Sequence, residues 1–165
     1  MKPAHARSYE PRSINAGTTV RAIHLLMDYY RLTGETKFLA GILAAIQYLE
    51  SMELPAEEAR KYGYTGNGRQ GILVPRFVDP DTGKPLYVHR VGSNVANGHY
   101  YTDQNITNTI AHYSSGAFID IASLKSAYNE IRTKPVEELI KDSPLLSTEQ
   151  VPLPRFYTRI FSRGG

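Results

Sequence analysis

Residues 18–52, TTVRAIHLLMDYYRLTGETKFLAGILAAIQYLESM, decide the first reading of the fold. In the first half Val20, Ile23, Met27 and Tyr30 recur every three to four positions, with Arg21, Asp28 and Arg31 off that stripe. That period predicts an amphipathic helix over residues 18–32. Gly34 breaks it. A second helix is predicted over residues 36–52, where Phe38, Leu39, Ile42, Leu43, Ile46 and Leu49 form a wide apolar face and Pro55 marks the exit. Together they read as an antiparallel helical hairpin with Ile42 and Ile46 buried between helices.

Outward from the hairpin the pattern changes. Upstream, ARSYEPRS at residues 6–13 sets Arg7, Tyr9, Glu10 and Arg12 close together, just ahead of the first helix. Chain ends fray, so concentrated chemistry there suggests the downstream piece of a larger protein. Downstream, Gly63, Gly66, Gly68 and Gly71 predict a loop or lid. Residues 76–78 and 86–88 flank the turn-rich DPDTGKP and read as a loose β-hairpin, with Pro85 weakening its second strand. Residues 92–116 are polar, rich in Asn, Thr and Tyr, and too long for a passive connector. Asp120 is a candidate N-cap for a helix over residues 121–132, with Leu124, Tyr128 and Ile131 on one face. The expected architecture is therefore mainly α, with a helical hairpin, a loose β-hairpin and long polar loops over residues 1–134. A short helical turn and a Pro-rich tail occupy residues 135–165.

Composition narrows the function. The 165 residues are 41% hydrophobic and 21% charged, the profile of one globular domain. A net charge of +3 with mixed signs gives no polybasic stripe for nucleic acid or an anionic membrane. The absence of Cys excludes disulfides, thiolate metal sites and Cys nucleophiles. No apolar run approaches the ~20 residues of a transmembrane helix. Twelve Tyr against five Phe and no Trp is an unusual aromatic balance. Tyr joins a flat apolar face to a hydroxyl, which suits sugar rings as well as half-buried packing.

Motifs for other chemistries are missing. His5, His24, His89, His99 and His112 show no helical metal-pair spacing and no HExxH. His24 reads as a packing residue, and His89 and His99 as loop hydrogen-bonding residues. There is no GxSxG elbow and no Walker lysine. Asn105-Ile106-Thr107 matches a glycosylation sequon. Arg7 and Arg76 each sit beside aromatic residues, and a guanidinium fork suits bidentate capture of carboxylates, such as those of a uronic-acid polymer, or pairing with a neighbouring acid.

Three ordered blocks carry a family resemblance. ARSYEPRS at residues 6–13, with LM at residues 26–27, resembles the AR-x-YE-x-x-S…LM block of the pectic acid lyases of polysaccharide lyase family 10. AAIQYLESMELP at residues 44–55 resembles that family's A-x-x-WLE-x-x-x-(I/L)P helix, and PRFVDPDTGKPLYVHRVG at residues 75–92 its ARFYE…DRDG block. The link LTGETKFL at residues 32–39 resembles the recurrent TG-x-x-x-(F/Y)L connection of (α/α) toroids acting on polysaccharides. The resemblance implies a partial (α/α) toroid, the C-terminal part of a catalytic module that β-eliminates polygalacturonate, in a secreted or periplasmic protein. It implies Arg7 as the proton-abstracting residue, and Arg76, Tyr9 and Arg90 as substrate-binding residues. Calcium would be the cofactor, with its acidic ligands in an upstream half outside this chain. In place of DRDG stands His89-Arg90-Val91-Gly92, which lacks both acids. That departure favours a noncatalytic glycan-binding or structural helical domain as the alternative. A hydrolase of the same toroid class, working through a carboxylic acid, is a third reading, but no Asp or Glu stands out for it.

Overall fold

A computed structural model describes residues 7, 9–61, 71–92, 98–110 and 115–141. The expected glycine-rich loop, except Gly71, and the Pro-rich tail lie outside the described residues. The helical stripe of the first segment becomes α1 (Ala16–Thr33), with Ile23, Met27 and Tyr30 buried along it. Asn15 caps its start by accepting the Thr18 N–H. Gly34 closes its end in the left-handed conformation at φ 70°, with its N–H on the Tyr30 carbonyl.

The second segment is not one helix. A 3-10 turn (Thr36–Leu39) comes first, and α2 (Ile42–Ser51) starts only after Gly41. A short α3 (Ala56–Lys61), unforeseen from the sequence, begins just after Pro55, where a proline at a helix entrance leaves no donor unsatisfied. Further on, α4 (Ile121–Thr133) follows the Asp120 cap as expected, and α5 (Val136–Lys141) follows Pro135. Ile23, Met27, Ile42, Ile46, Leu49, Leu124, Tyr128, Ile131 and Leu139 join in one buried core, so α1, α2, α4 and α5 share their apolar faces. Val136 of α5 sits against Gly34, where a Cβ would lie 2.7 Å from its Cγ1.

The mainly α, toroid-like architecture is overturned. About 49% of the described residues are helical and 21% are strand, arranged in two antiparallel sheets, so the class is mixed α and β. One sheet has the order β1 (Ile14–Asn15), β3 (Phe77–Val78), β4 (Pro85–Val91), β5 (His99–Asp103). The other pairs β2 (Ile72–Pro75) with β6 (Gly116–Ile119). The expected loose hairpin is the β3–β4 pair, with Pro85 opposite Val78. The long polar stretch is not all loop, because β5 forms inside it and pairs with β4 over five residues. β1, β2, β5 and β6 escaped the sequence because they are two to five residues long, too short for an alternating period to register.

The β2–β6 ribbon is tightly packed. Gly71, at φ 113°, lies so near the Ile119 carbonyl that a Cβ would be 2.5 Å from its oxygen. Leu73 and Phe118 of the ribbon pack with Leu54 and Ala59 in a smaller cluster beside α3. Among the described residues, no helix is long and apolar enough to cross a membrane.

Candidate functional site

The β4–β5 register builds the site. Partners across an antiparallel pair share a face, and faces alternate along each strand. Val88 pairs with Thr102 and Arg90 with Tyr100, so these four residues stand on one face of the hairpin. His89 pairs with Tyr101 and Tyr87 with Asp103, on the opposite face.

The opposite face is closed over at Tyr87 and His89, while Tyr101 and Asp103 stay exposed. His89 is buried, and its ring stacks on Tyr101 with centroids 5.1 Å apart. Its Nε2 lies 2.8 Å from Asp103 Oδ1 and its Nδ1 3.3 Å from the Asn108 carbonyl. Asn108 takes φ 59° to present that carbonyl, and Ile110 then donates its N–H to the Val88 carbonyl. His89 thus ties the segment after β5 back onto β4. Each ring nitrogen lies within hydrogen-bonding distance of an acceptor, so the ring anchors this segment. His24, expected to pack, is instead exposed on α1.

The first face stays open and meets the N-terminal turn. Glu10 donates its N–H to the Arg7 carbonyl, closing a turn that carries Tyr9. The Tyr9 ring meets Tyr100 edge to face, with centroids 5.7 Å apart. Arg7 donates to the Tyr9 hydroxyl at 3.3 Å, lies 3.5 Å from Glu10 Oε1, and has its guanidinium carbon 6.0 Å from the Tyr9 ring centroid. Between turn and hairpin opens a cleft of about 240 Å³, bounded by residues 9–12 on one side and by Val88 and residues 100–102 on the other. Arg90, exposed, extends the same face beyond Val88. Arg12 closes one end of the cleft, with both nitrogens of its fork on the Asp81 carboxylate at 2.6 and 3.0 Å. The hydrogen bond from Arg12 holds the Asp81 carboxyl below the usual carboxylate range and, in return, keeps Arg12 more firmly protonated.

A second cleft of about 500 Å³ lies past Glu10 and Pro11, against the start of α1. Its polar groups are already engaged. Ser13 bonds the Pro11 carbonyl, Thr19 bonds the Asn15 carbonyl, and Thr18 accepts from Arg21.

Of the sequence candidates, Tyr9 borders the cleft, Arg7 is bonded to its hydroxyl, and Arg90 is the cross-strand partner of Tyr100. Arg76 has a defined backbone position. It sits at the bend between β2 and β3, where its N–H meets the Ser115 carbonyl and its carbonyl accepts from Ala16, so its backbone couples the two sheets to the start of α1. Sequence reading missed Tyr100 and the pairing of Arg12. The alternation in His99-Tyr100-Tyr101-Thr102-Asp103 was the available signal for the first. Arg12 belongs to the cluster at residues 6–13, but nothing local marks its partner Asp81, 69 residues away. Among the described residues, no three His, Asp or Glu side chains gather in a way that could hold a metal ion. No protein-family model, curated protein or solved structure matches the chain.

Proposed function

We propose that this chain binds acidic polysaccharide, with polygalacturonate as the type ligand, through the open face of the β4–β5 hairpin and the turn carrying Arg7 and Tyr9. The observation that supports this reading is the Tyr9–Tyr100 pair, 5.7 Å apart at the edge of an open cleft, with Arg7 against Tyr9 and Arg90 the cross-strand partner of Tyr100. Tyrosine faces and edges take the C–H surfaces of sugar rings, while guanidinium forks take carboxylates bidentately. Sugars alone would need the first and simple anions the second. A polymer of uronic acids uses both.

The binding reading is preferred to β-elimination on chemical grounds. Elimination needs a group that accepts the proton at C5, together with electrostatic stabilisation of the enolate-like charge. In the cleft Arg7 acts as a hydrogen-bond donor to Tyr9 beside the Glu10 carboxylate, the role of a cation that orients and attracts.

The test is calorimetric titration with polygalacturonate and with highly methyl-esterified pectin. The first should bind and the second should bind much more weakly. Tyr100→Ala should weaken polygalacturonate binding by about tenfold, roughly the value of one aromatic contact with its buried area. Arg90→Gln should weaken it and flatten its salt dependence. Equal binding of both polymers would refute the reading. Growth of ultraviolet absorbance on incubation with polygalacturonate and calcium, abolished by Arg7→Ala, would replace it with lyase activity.

A further inference from the structure

Arg12 lines the cleft, yet its fork is filled. Asp81 supplies two parallel bonds, Oδ2 to Nη1 at 2.6 Å and Oδ1 to Nη2 at 3.0 Å, which is the geometry a ligand carboxylate would adopt. The pairing is not a matter of two long chains meeting by chance. Asp81 lies in the β3–β4 turn, whose backbone is fixed by the Asp79 side chain accepting from the N–H groups of Asp81 and Thr82. Gly83, at φ 69°, completes the turn by donating to the Asp79 carbonyl, and Asp79 donates to the Lys84 carbonyl. A short, rigidly held carboxylate is thus offered to an arginine that bounds the cleft with Tyr9 and Tyr100.

Both members are open to water, with side chains 34% and 66% exposed. Exposed ion pairs are weakly held and exchange readily. We propose that Arg12 is a carboxylate-binding residue of the cleft and that Asp81 is its internal competitor, occupying the fork until a ligand carboxylate takes it over. The proposal rests on the acidic-polysaccharide reading of this cleft. Its consequence is selectivity. An esterified or neutral sugar has no group that can displace Asp81, so it meets an occupied arginine and the negative charge of Asp81. A uronate replaces like with like and releases Asp81 to solvent.

A mutant cycle tests this, titrating galacturonate oligomers into the unmodified chain, Asp81→Asn, Arg12→Gln and the double variant. Asp81→Asn should bind about three- to tenfold more tightly, because the competitor is gone, and Arg12→Gln should bind more weakly than the unmodified chain. In the Arg12→Gln background Asp81→Asn should bring no gain, which separates competition from a general loss of negative charge. If the unmodified chain binds and Asp81→Asn binds equally or more weakly, Asp81 is a tether only and the proposal fails while the binding site stands. If neither binds, both fail. A measurement free of any folding defect uses the unmodified chain: the Arg12 Nη–Hη resonances should shift as oligomer is added, and binding that leaves them unmoved would overturn the exchange.

Discussion

Ile46→Ala is the most direct test of how the helices pack. Ile46 is fully buried on α2, in the same cluster as Met27 and Tyr30 of α1 and Leu124 and Tyr128 of α4. The substitution removes three carbons, worth about 0.8 kcal/mol each in transfer, and leaves a cavity whose lining loses contacts. Against this stands a few tenths of a kcal/mol from the better helix propensity of Ala. The net loss should be about 3 kcal/mol, a large share of the roughly 5–15 kcal/mol that stabilises a domain. Leu43 is the internal control. It lies three residues earlier on the same helix but is 40% exposed, and Leu43→Ala should cost about 0.5 kcal/mol. Urea unfolding followed by circular dichroism measures both, and unchanged slopes would show that the denatured states are comparable. Ile46→Val should fall between, at about 0.5–1.5 kcal/mol. An Ile46→Ala loss below about 0.5 kcal/mol, or a Leu43→Ala loss equal to it, would refute the packing of α2.

Two further outcomes follow from the backbone and from the charges. Gly71→Ala should destabilise by about 1–3 kcal/mol or more, since φ 113° is strained for any L residue and the new Cβ would sit 2.5 Å from the Ile119 oxygen; a thermal midpoint equal to the unmodified chain's would show that the ribbon can relax. The Asp120 carboxyl is held below its ordinary range by the Ser123 backbone N–H and then its hydroxyl. A depressed carboxyl contributes stability above the unfolded value of about 3.9 and loses it as pH falls through the lower folded value. Asp120→Asn should therefore flatten the loss of stability below about pH 4 and leave the slope between pH 6 and 8 unchanged, as read from urea midpoints across pH.

The helices were legible because their signal accumulates. Ile23, Met27 and Tyr30 on α1, and Leu124, Tyr128 and Ile131 on α4, are buried as their spacing requires, and each stripe spans two turns or more. β1 offers no such sum. Its two residues become a strand only because Ile14 and Asn15 find Val78 and Phe77, more than 60 positions along the chain. The toroid expectation failed at this point: a hairpin of helices was visible, whereas the pairings that build a sheet beside it are nonlocal.

The candidate site divides along the same line. Residue type and the family resemblance singled out Arg7, Tyr9, Arg90 and Arg76, but neither could say which would lie near one another. What brings Tyr9 to Tyr100 is register. The Arg90–Tyr100 pairing puts a cation beside an aromatic ring, and the β1–β3 pairing holds the N-terminal segment where Tyr9 can meet that ring. The Arg12–Asp81 contact clasps the same segment to the β3–β4 turn. The cleft is thus the meeting of a segment with a hairpin rather than a property of either, and loosening the segment would dissolve the site while leaving the helical core intact.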